Sequence, residues 1–362
     1  MELGIKDGEI SKMNKFLTEI LEQPKALKDT FEYYSEKEGL KTLKRIKELY
    51  QNGKIKQIVF TGMGSSYFTS YSAACLCNSL GLHAVAINTS EILYYNLSYL
   101  TEYTLLVCIS QSGESIEIVK LFEKLPKRVP CIGISNDESS SLASNVKEVL
   151  LTKAGKEEMT STKTFTSINL LMFIFGLFLA DKWNKDKEAQ VKGLIEAFEK
   201  TLANNAAENT ENLEFFGDIE FIQFIGRGPS FASACQSELM IKEATKIASS
   251  GTLGGEFRHG PMEMVKAGFK SVLFAAEGKT YNQSIKMAND IVKYNGKVLV
   301  ITNKDPEIIN KNAKIITYNQ PDEFLFAIQN IIPVQLMVNN LALAKGLEPG
   351  NFINGGKVTL SE

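Results

Sequence analysis

The chain has 362 residues, more than one ordinary domain holds, so its length predicts about two domains. Hydrophobic residues make up 44% and charged residues 23%, and the 40 Lys+Arg residues nearly balance 42 Asp+Glu residues. This near-neutral charge argues against a nucleic-acid-binding protein that depends on net basic charge. The two histidines, His83 and His259, are too few for a zinc site made mainly of imidazoles, so we expect neither metal nor cofactor.

The cysteines and the apolar segments indicate a cytoplasmic protein. The cysteines form no C-x-x-C pair and lie in apolar or small-residue stretches, which is typical of buried thiols in a reducing compartment. The longest apolar run, residues 170–180, is shorter than the roughly 20 residues that cross a bilayer, so it predicts a buried helix. The N-terminus has no signal-peptide pattern, and we expect no membrane segment.

The first part of the chain alternates β-rich runs with helical patterns. Helical spacing covers residues 8–34 and 36–52. Short runs rich in Val, Ile and Leu follow, each leading through a turn into a helical segment, which predicts βαβ units and a parallel sheet. The predicted strands are 57–60, 105–109, 130–136 and 149–151.

The second part repeats this order, with predicted strands at 221–225, 271–276, 298–303 and 315–317. We therefore predict an α/β protein of two tandem halves, each a parallel sheet flanked by helices in a flavodoxin-like three-layer sandwich. The predicted segments are an N-terminal helical segment (1–39), a first domain (40–185), a helical connector (186–212), a second domain (213–345) and a C-terminal tail (346–362).

The turn Gly62-Met63-Gly64-Ser65-Ser66 joins the first predicted strand to a helix. Unpaired backbone N–H groups and the positive end of the helix dipole suit an anion at such a turn. It fails as a dinucleotide fingerprint because Tyr67 stands where the third glycine would be. An ordinary βα turn with a capping serine is the alternative interpretation of this motif.

A second polar turn, Ser110-Gln111-Ser112-Gly113-Glu114-Ser115, offers three hydroxyls and one amide at another strand-to-helix junction. The carboxyl ends of parallel strands meet at one edge of a sheet, so the two turns should converge there. Together they predict a site for the phosphate of a small molecule. The chain has no G-x-x-x-x-G-K-[ST] loop, which argues against an NTPase.

The second half supplies a candidate acid–base pair. Glu243 lies on a predicted helix, and His259 lies in the turn Gly255-Glu256-Phe257-Arg258-His259-Gly260-Pro261. A carboxylate and an imidazole can exchange protons near neutral pH. By contrast, His83 lies in an apolar run, and we expect it to fill space in the core.

Two further segments have both a functional and a structural interpretation. The hydroxyl-rich run 161–167, which begins Ser161-Thr162-Lys163, either caps the apolar helix or closes the site over a sugar. Lys357, flanked by glycines near the C-terminus, either belongs to a loose end or offers an amine to a ketose carbonyl.

These motifs together resemble the sugar isomerase (SIS) family. More closely, they resemble the isomerase half of glutamine–fructose-6-phosphate aminotransferase, which the early segment Glu19-Ile20-Leu21-Glu22-Gln23-Pro24 also matches. The resemblance extends from about residue 14 to the end of the chain. It implies that the substrate is a sugar phosphate and that the enzyme is a homodimer.

The resemblance also implies a role for individual residues. The sugar 6-phosphate would be held by the turns that contain Gly64, Ser65, Ser66, Ser110, Gln111, Ser112 and Ser115. Glu243 would move a proton between C1 and C2, and His259 would assist ring opening from the partner subunit. Lys357 would attack the open-chain ketose, and the loop from Glu157 to Ser161 would contact the sugar.

Several departures shift the expected activity away from the aminotransferase. The sequence has no glutaminase region, a second lysine of the synthase site is replaced by Met240, and the Ala154–Lys163 loop is one residue shorter. The turn around His259 also resembles stand-alone SIS deglycases. We therefore expect a fructosamine-6-phosphate deglycase or phosphosugar isomerase. The alternatives are a glucosamine-6-phosphate deaminase or isomerase and a non-catalytic phosphosugar sensor.

Overall fold

The computed structural model describes residues 13–35, 37–52, 54–204, 208–308 and 310–359. The chain divides into two compact units that are not contiguous in sequence. The first unit consists of Lys25–Glu157, Lys163–Gly193 and Asn354–Glu362. The second unit consists of Met1–Pro24, Glu158–Thr162 and Leu194–Ile353. The segment boundaries predicted from the sequence stay a prediction.

In the described residues, helices of eight or more residues account for most of the helical structure, and four shorter helices are named with them. In chain order they are α1 (Lys15–Leu21), α2 (Gln23–Ser35), α3 (Lys37–Asn52), α4 (Ser65–Ser79), α5 (Ile116–Lys124), α6 (Ser141–Asn145), α7 (Lys163–Leu179), α8 (Lys185–Asn204), α9 (Glu208–Phe216), α10 (Ser230–Thr245), α11 (Gly254–Arg258), α12 (Tyr281–Lys293), α13 (Glu323–Gln329) and α14 (Ile332–Ala344).

The first unit contains a five-stranded sheet in the order β2-β1-β3-β4-β5, and every neighbouring pair is parallel. All six residues of β3 are buried, as expected for a central strand that helices cover on both faces. The strands are β1 (Gln57–Thr61), β2 (Ala84–Ala86), β3 (Thr104–Ile109), β4 (Cys131–Ser135) and β5 (Val149–Leu151).

The second unit repeats this topology in the order β7-β6-β8-β9-β10, again with parallel neighbours. Its strands are β6 (Phe221–Gly226), β7 (Ala248–Leu253), β8 (Lys270–Ala275), β9 (Lys297–Thr302) and β10 (Ala313–Thr317). The predicted α/β class with two parallel sheets is confirmed, and each sheet has the flavodoxin-like order.

The sequence pattern missed one edge strand in each sheet. Strand β2 is only three residues long, and Val85 in its centre is exposed. Strand β7 has the sequence Ala-Ser-Ser-Gly-Thr-Leu, which has little of the apolar content that predicts a buried strand. Both strands form because the adjacent strands offer unpaired backbone groups. Such pairing depends on the backbone, so it leaves only a weak pattern of side chains in the sequence.

The apolar run at 170–180 lies largely in α7, where all but one residue is buried, so the predicted buried helix is confirmed. Another stretch, Glu323–Ala344, is long and apolar enough to cross a membrane, and 89% of its most apolar window is buried inside the structure. Core helices of soluble proteins pass the same test, so this stretch is weak evidence for a membrane span.

The cysteines and His83 test two expectations about the core. Cys77, Cys108 and Cys235 are buried, whereas Cys75 and Cys131 are partly exposed. Burial raises the pKa of the Cys77 thiol and of the Cys235 thiol to about 12, which keeps both protonated at neutral pH. The expectation for His83 is wrong: it is exposed, and its backbone carbonyl accepts a hydrogen bond from Ile58.

Candidate functional site

In the first unit, the strand order changes direction between β1 and β3, and ligands bind at such a point in open α/β sheets. The turn after β1 and the turn after β3 lie side by side there. A Cβ atom on Gly62 would lie 2.8 Å from Ser66 and 2.9 Å from the carbonyl oxygen of Ile109. Only glycine permits this approach, and Gly64 adopts a φ of +51° to turn the chain into α4.

The turn after β3 forms a compact hydroxyl cluster. The Oγ atoms of Ser110 and Ser115 are 3.3 Å apart. The backbone N–H of Gly113 donates to Ser110 Oγ over 3.1 Å, and the N–H of Glu114 donates to Ser112 Oγ over 3.2 Å. Backbone donors therefore fix the hydroxyls at the entrance of α5.

A cavity of about 670 Å³ opens beside this turn, a volume suited to a small organic ligand. Four of the residues predicted from the sequence line it: Gln111, Ser112, Glu157 and Lys357. Four charged residues that were not among the predicted site residues also line it: Glu114, Asp137, Lys153 and Lys156. The structure thus brings the serine-rich turn, Glu157 of the predicted sugar loop and Lys357 of the C-terminal tail to one cavity in the first unit.

The tail is attached to this cavity by two contacts. Lys357 Nζ lies 2.5 Å from a carboxylate oxygen of Glu157, whose side chain is fully buried. The carbonyl of Thr359 accepts a hydrogen bond of 3.1 Å from the N–H of Ile116, at the first turn of α5. The described part of the tail is therefore not a loose end.

Glu157 makes several contacts within the protein that the sequence did not predict. One carboxylate oxygen accepts from the N–H of Thr164 over 3.1 Å, and the other accepts from the Thr164 hydroxyl and from Lys357, each over 2.5 Å. A carboxylate with these donors is stabilised in its charged form. Its contacts indicate that it orients Lys357 and the start of α7.

The two additional lysines follow the carboxyl end of β5. Lys153 adopts a left-handed φ of +51°, and its ammonium group lies 4.6 Å from the ring centre of Tyr33. Asn136 holds this loop, since it accepts from the N–H of Ala154 over 2.9 Å and donates to the carbonyl of Gly155 over 2.7 Å. In the sequence, the signal that could have identified Lys153 and Lys156 was their place directly after a predicted strand.

Asp137 contributes a negative charge to the cavity. The side-chain hydroxyl and backbone N–H of Ser139 both donate to its carboxylate, over 2.6 Å and 2.8 Å. These hydrogen bonds hold the pKa of Asp137 below its usual range, so it is ionised at neutral pH. The cavity therefore mixes lysine and carboxylate charges with neutral hydroxyls.

Ser65 begins α4 in the first unit, whereas Glu243, His259 and Ser161 belong to the second unit. Glu243 lies on α10, and its carboxylate accepts a hydrogen bond from the hydroxyl of Thr160. The carbonyl of Ser161, the next residue, accepts from Gln236 over 2.9 Å. Glu243 and Ser161 are thus brought to the same part of this unit.

His259 is exposed and follows α11 in a turn where Gly260 has a φ of +128°. Its backbone N–H donates to the carbonyl of Glu256 over 2.9 Å, which fixes the turn and leaves the imidazole at the surface. Within the described parts of residues 13–359, no group of three His, Cys, Asp or Glu side chains is arranged to hold a metal ion.

Comparison with known families finds the same family match in both units. The family described as "SIS domain" matches residues 53–176 and 218–345. The chain belongs to the SIS domain family. Each match covers the strands of one sheet, which agrees with the repeated topology and confirms the resemblance noted in the sequence.

Relatives with known names are similar over nearly the whole SIS-family chain. The glutamine–fructose-6-phosphate aminotransferase of Pyrococcus horikoshii is 30% identical over 339 residues, which cover 92% of this chain and 55% of that protein. The chain thus spans about half the length of that relative. The C-terminal domain of the corresponding Francisella tularensis enzyme is 25% identical with a TM-score of 0.83, covering 95% of this chain and 99% of that domain.

A third protein shares the fold alone. The tagatose-6-phosphate ketose/aldose isomerase of Escherichia coli superposes with a TM-score of 0.76 at 19% identity, covering 95% of this chain and 96% of that one. Its low identity leaves residue roles to be argued from the contacts of this chain.

In the turn after β3 of this SIS-family chain, we expect stability to be sensitive to substitution of Gly113. Its φ is +68°, and an added Cβ would lie 2.2 Å from Ser140 Oγ and 2.4 Å from Ser140 Cβ. We expect Gly113→Ala to lower the free energy of unfolding by about 2 to 4 kcal/mol because strain and a steric clash combine. Urea unfolding measures the change.

The matched control is Gly193→Ala in α8, where an added Cβ meets nothing within 4 Å. This change is expected to leave stability unchanged or to raise it by up to about 1 kcal/mol, since alanine favours a helix interior. Equal unfolding curves for the Gly113 and Gly193 variants would contradict the clash.

Proposed function

We propose that this SIS-family chain is a phosphosugar-processing enzyme of the aldose–ketose isomerase type, either a fructosamine-6-phosphate deglycase or a phosphosugar isomerase. The observation that carries the proposal is the cavity of the first unit, where the serine-rich turn meets Glu157 and Lys357. The names of the aminotransferase relatives and of the isomerase with the same fold support a sugar phosphate as the substrate.

The phosphate group would bind at the two turns after β1 and β3. Ser66, Ser110, Gln111, Ser112 and Ser115 would supply hydroxyl, amide and backbone donors, with Gly64 and Ser65 shaping the first turn. Oriented dipoles of this kind stabilise a phosphate without a metal ion. Lys153 and Lys156 at the cavity would add positive charge, which favours a dianion over a neutral sugar.

The proton transfer is assigned to Glu243, with His259 of a partner subunit opening the sugar ring in a homodimer. On a fructosamine 6-phosphate, Glu243 would take a proton from C1 while the C2 oxygen takes a proton from water, which gives a 1,2-enaminol. Glu243 would then return its proton to C2 as the amine N–H proton leaves to water. The product is an imine at C1, which water hydrolyses to the free amine and an aldose phosphate. On a ketose phosphate without the amine, the same steps pass through an enediol and give the aldose.

Lys357 would act through its charge. An amine attacks a carbonyl only as the neutral base, whereas Lys357 is held in an ion pair with the buried carboxylate of Glu157. The pair therefore supports stabilisation of the oxygen that becomes negative in the enediol or enaminol. The side chain of Met240, at the position of the second synthase lysine, is fully buried, which further separates this chain from aminotransferase chemistry.

The test is a substrate panel of fructosamine 6-phosphates, fructose 6-phosphate and glucosamine 6-phosphate, followed by NMR in D₂O. Release of amine identifies a deglycase, and deuterium uptake at C1 or C2 without amine release identifies an isomerase. Ammonia release from glucosamine 6-phosphate would instead identify a deaminase. Tight binding of one compound without turnover of any would contradict the enzyme and indicate a sensor.

Substitution of Ser110 tests the phosphate site separately. Its side chain is nearly buried and contacts both Ser115 and Gly113. We expect Ser110→Ala to raise KM for the sugar phosphate about tenfold, with kcat less affected, because it removes phosphate donors rather than the base. An unchanged KM, measured beside Ser144→Ala in α6, would place the phosphate elsewhere.

A further inference from the structure

Residues Glu158–Thr162 of the second unit are held by a buried carboxylate that the mechanism does not use. Glu19, on α1, is 6% exposed. Its carboxylate accepts from the backbone N–H of Glu158 over 2.5 Å and from the N–H of Met159 over 3.2 Å. A buried carboxylate with two backbone donors fixes the path of the segment directly before Thr160.

The far side of the same segment is held by α10. The amide of Gln236, which is fully buried, donates to the carbonyl of Ser161. Glu243 lies seven residues further along α10, about two turns, and therefore projects from the same face. Thr160 lies between these two attachments, is 1% exposed, and donates its hydroxyl to the Glu243 carboxylate.

We infer that Thr160 is a positioning residue for Glu243 and that Glu19 fixes Thr160. This inference rests on the proposed role of Glu243 as the proton carrier. The Thr160 hydroxyl sets the orientation of the carboxylate and stabilises its ionised form, which is the form that accepts a proton from C1. Removing the hydroxyl should therefore lower the fraction of Glu243 that is ionised at low pH as well as slow the reaction.

The first experiment compares pH profiles of turnover. In Thr160→Val, which keeps the side-chain shape without the hydroxyl, we expect kcat to fall about tenfold at neutral pH. The acidic limb of the profile should move to higher pH by about one unit, since the ionised carboxylate has lost a donor. Thr160→Ser retains the hydroxyl and should restore the profile.

The matched control is Thr245→Val, also on α10. Thr245 is buried, and its hydroxyl donates to the carbonyl of Ile241 over 2.6 Å rather than to Glu243. This variant reports the general effect of losing a buried threonine hydroxyl in the same unit. A shift of the acidic limb of equal size in Thr245→Val would overturn the inference.

The second experiment does not depend on activity, so it separates this inference from the proposed function. Glutamate labelled with ¹³C at the carboxyl carbon is incorporated, and the Glu243 signal is assigned by its loss in Glu243→Gln. The titration midpoint of that signal should rise in Thr160→Val and stay constant in Thr160→Ser. A constant midpoint in Thr160→Val, or in Thr160→Ala if the valine variant does not fold, would overturn the inference.

Glu19→Gln tests the indirect part of the inference. Glutamine keeps one oxygen acceptor but loses the charge, so the segment before Thr160 is held less firmly. The midpoint of Glu243 should move in the same direction as in Thr160→Val, by a smaller amount. An unchanged midpoint in the folded variant would overturn the role of Glu19.

Discussion

Glu243→Gln is expected to lower proton exchange between C1 and C2 of the sugar phosphate by about 10³-fold, because the amide has nearly the same shape but cannot act as a base. Sugar-phosphate affinity should stay within about threefold of the wild-type value, since the phosphate is assigned to the turns after β1 and β3. Deuterium uptake measured by NMR gives the first quantity, and calorimetric titration gives the second.

The control for this loss is Glu238→Gln on the same helix. The Glu238 carboxylate pairs with Lys242 and accepts from the N–H of Gly251 over 2.9 Å, contacts that a glutamine oxygen can partly replace. Exchange in this variant should remain within about threefold of the wild type, as surface ion pairs contribute little. Exchange at the wild-type rate in Glu243→Gln would remove Glu243 from the mechanism.

Lys357→Met is expected to reduce both stability and turnover. It removes the ammonium group from the fully buried Glu157 carboxylate, which still accepts hydrogen bonds from Thr164. Breaking a pair with one buried partner should cost about 2 to 3 kcal/mol, less than a fully buried pair because Lys357 is partly exposed. Turnover should fall about 100-fold, from the loss of a positive charge beside the reacting oxygen.

A double-mutant cycle separates these two effects. The variant Lys357→Met with Glu157→Gln removes both charges, so it should recover part of the stability that Lys357→Met loses. Turnover should not recover, because the ammonium group is still missing. Lys357→Arg keeps the charge and should retain more stability than the methionine variant. Wild-type stability and turnover in Lys357→Met would contradict both the pair and its role.

The local sequence pattern predicted the two sheets well where strands are long and apolar. Strands such as β3 and β9 are buried, so their residues must be apolar whatever the rest of the chain does. The edge strands β2 and β7 escaped prediction because their pairing is decided by backbone groups of a neighbour. The exposure of His83 was missed for a related reason: an apolar run at a sheet edge does not bury every side chain.

For the site, the sequence located the polar turns and the candidate acid–base residues. The turn Ser110–Ser115 follows a predicted strand, so its place at the edge of the sheet could be deduced from topology alone. The lysines after β5 were missed, since Lys153 and Lys156 resemble any exposed loop until the cavity is known. Thr160 was also missed, because nothing in its neighbours indicates a contact with Glu243.

The sequence by itself determined the repeated α/β plan, the position of the serine-rich turn and the candidate roles of Glu243, His259 and Lys357. Periodicity and turn chemistry are local, and they can be identified from adjacent residues. Only the tertiary structure decided that Glu157 holds Lys357 and that Thr160 and Glu19 support Glu243. These contacts join residues 83 to 200 positions apart, and which side chains meet over such distances depends on how the elements pack.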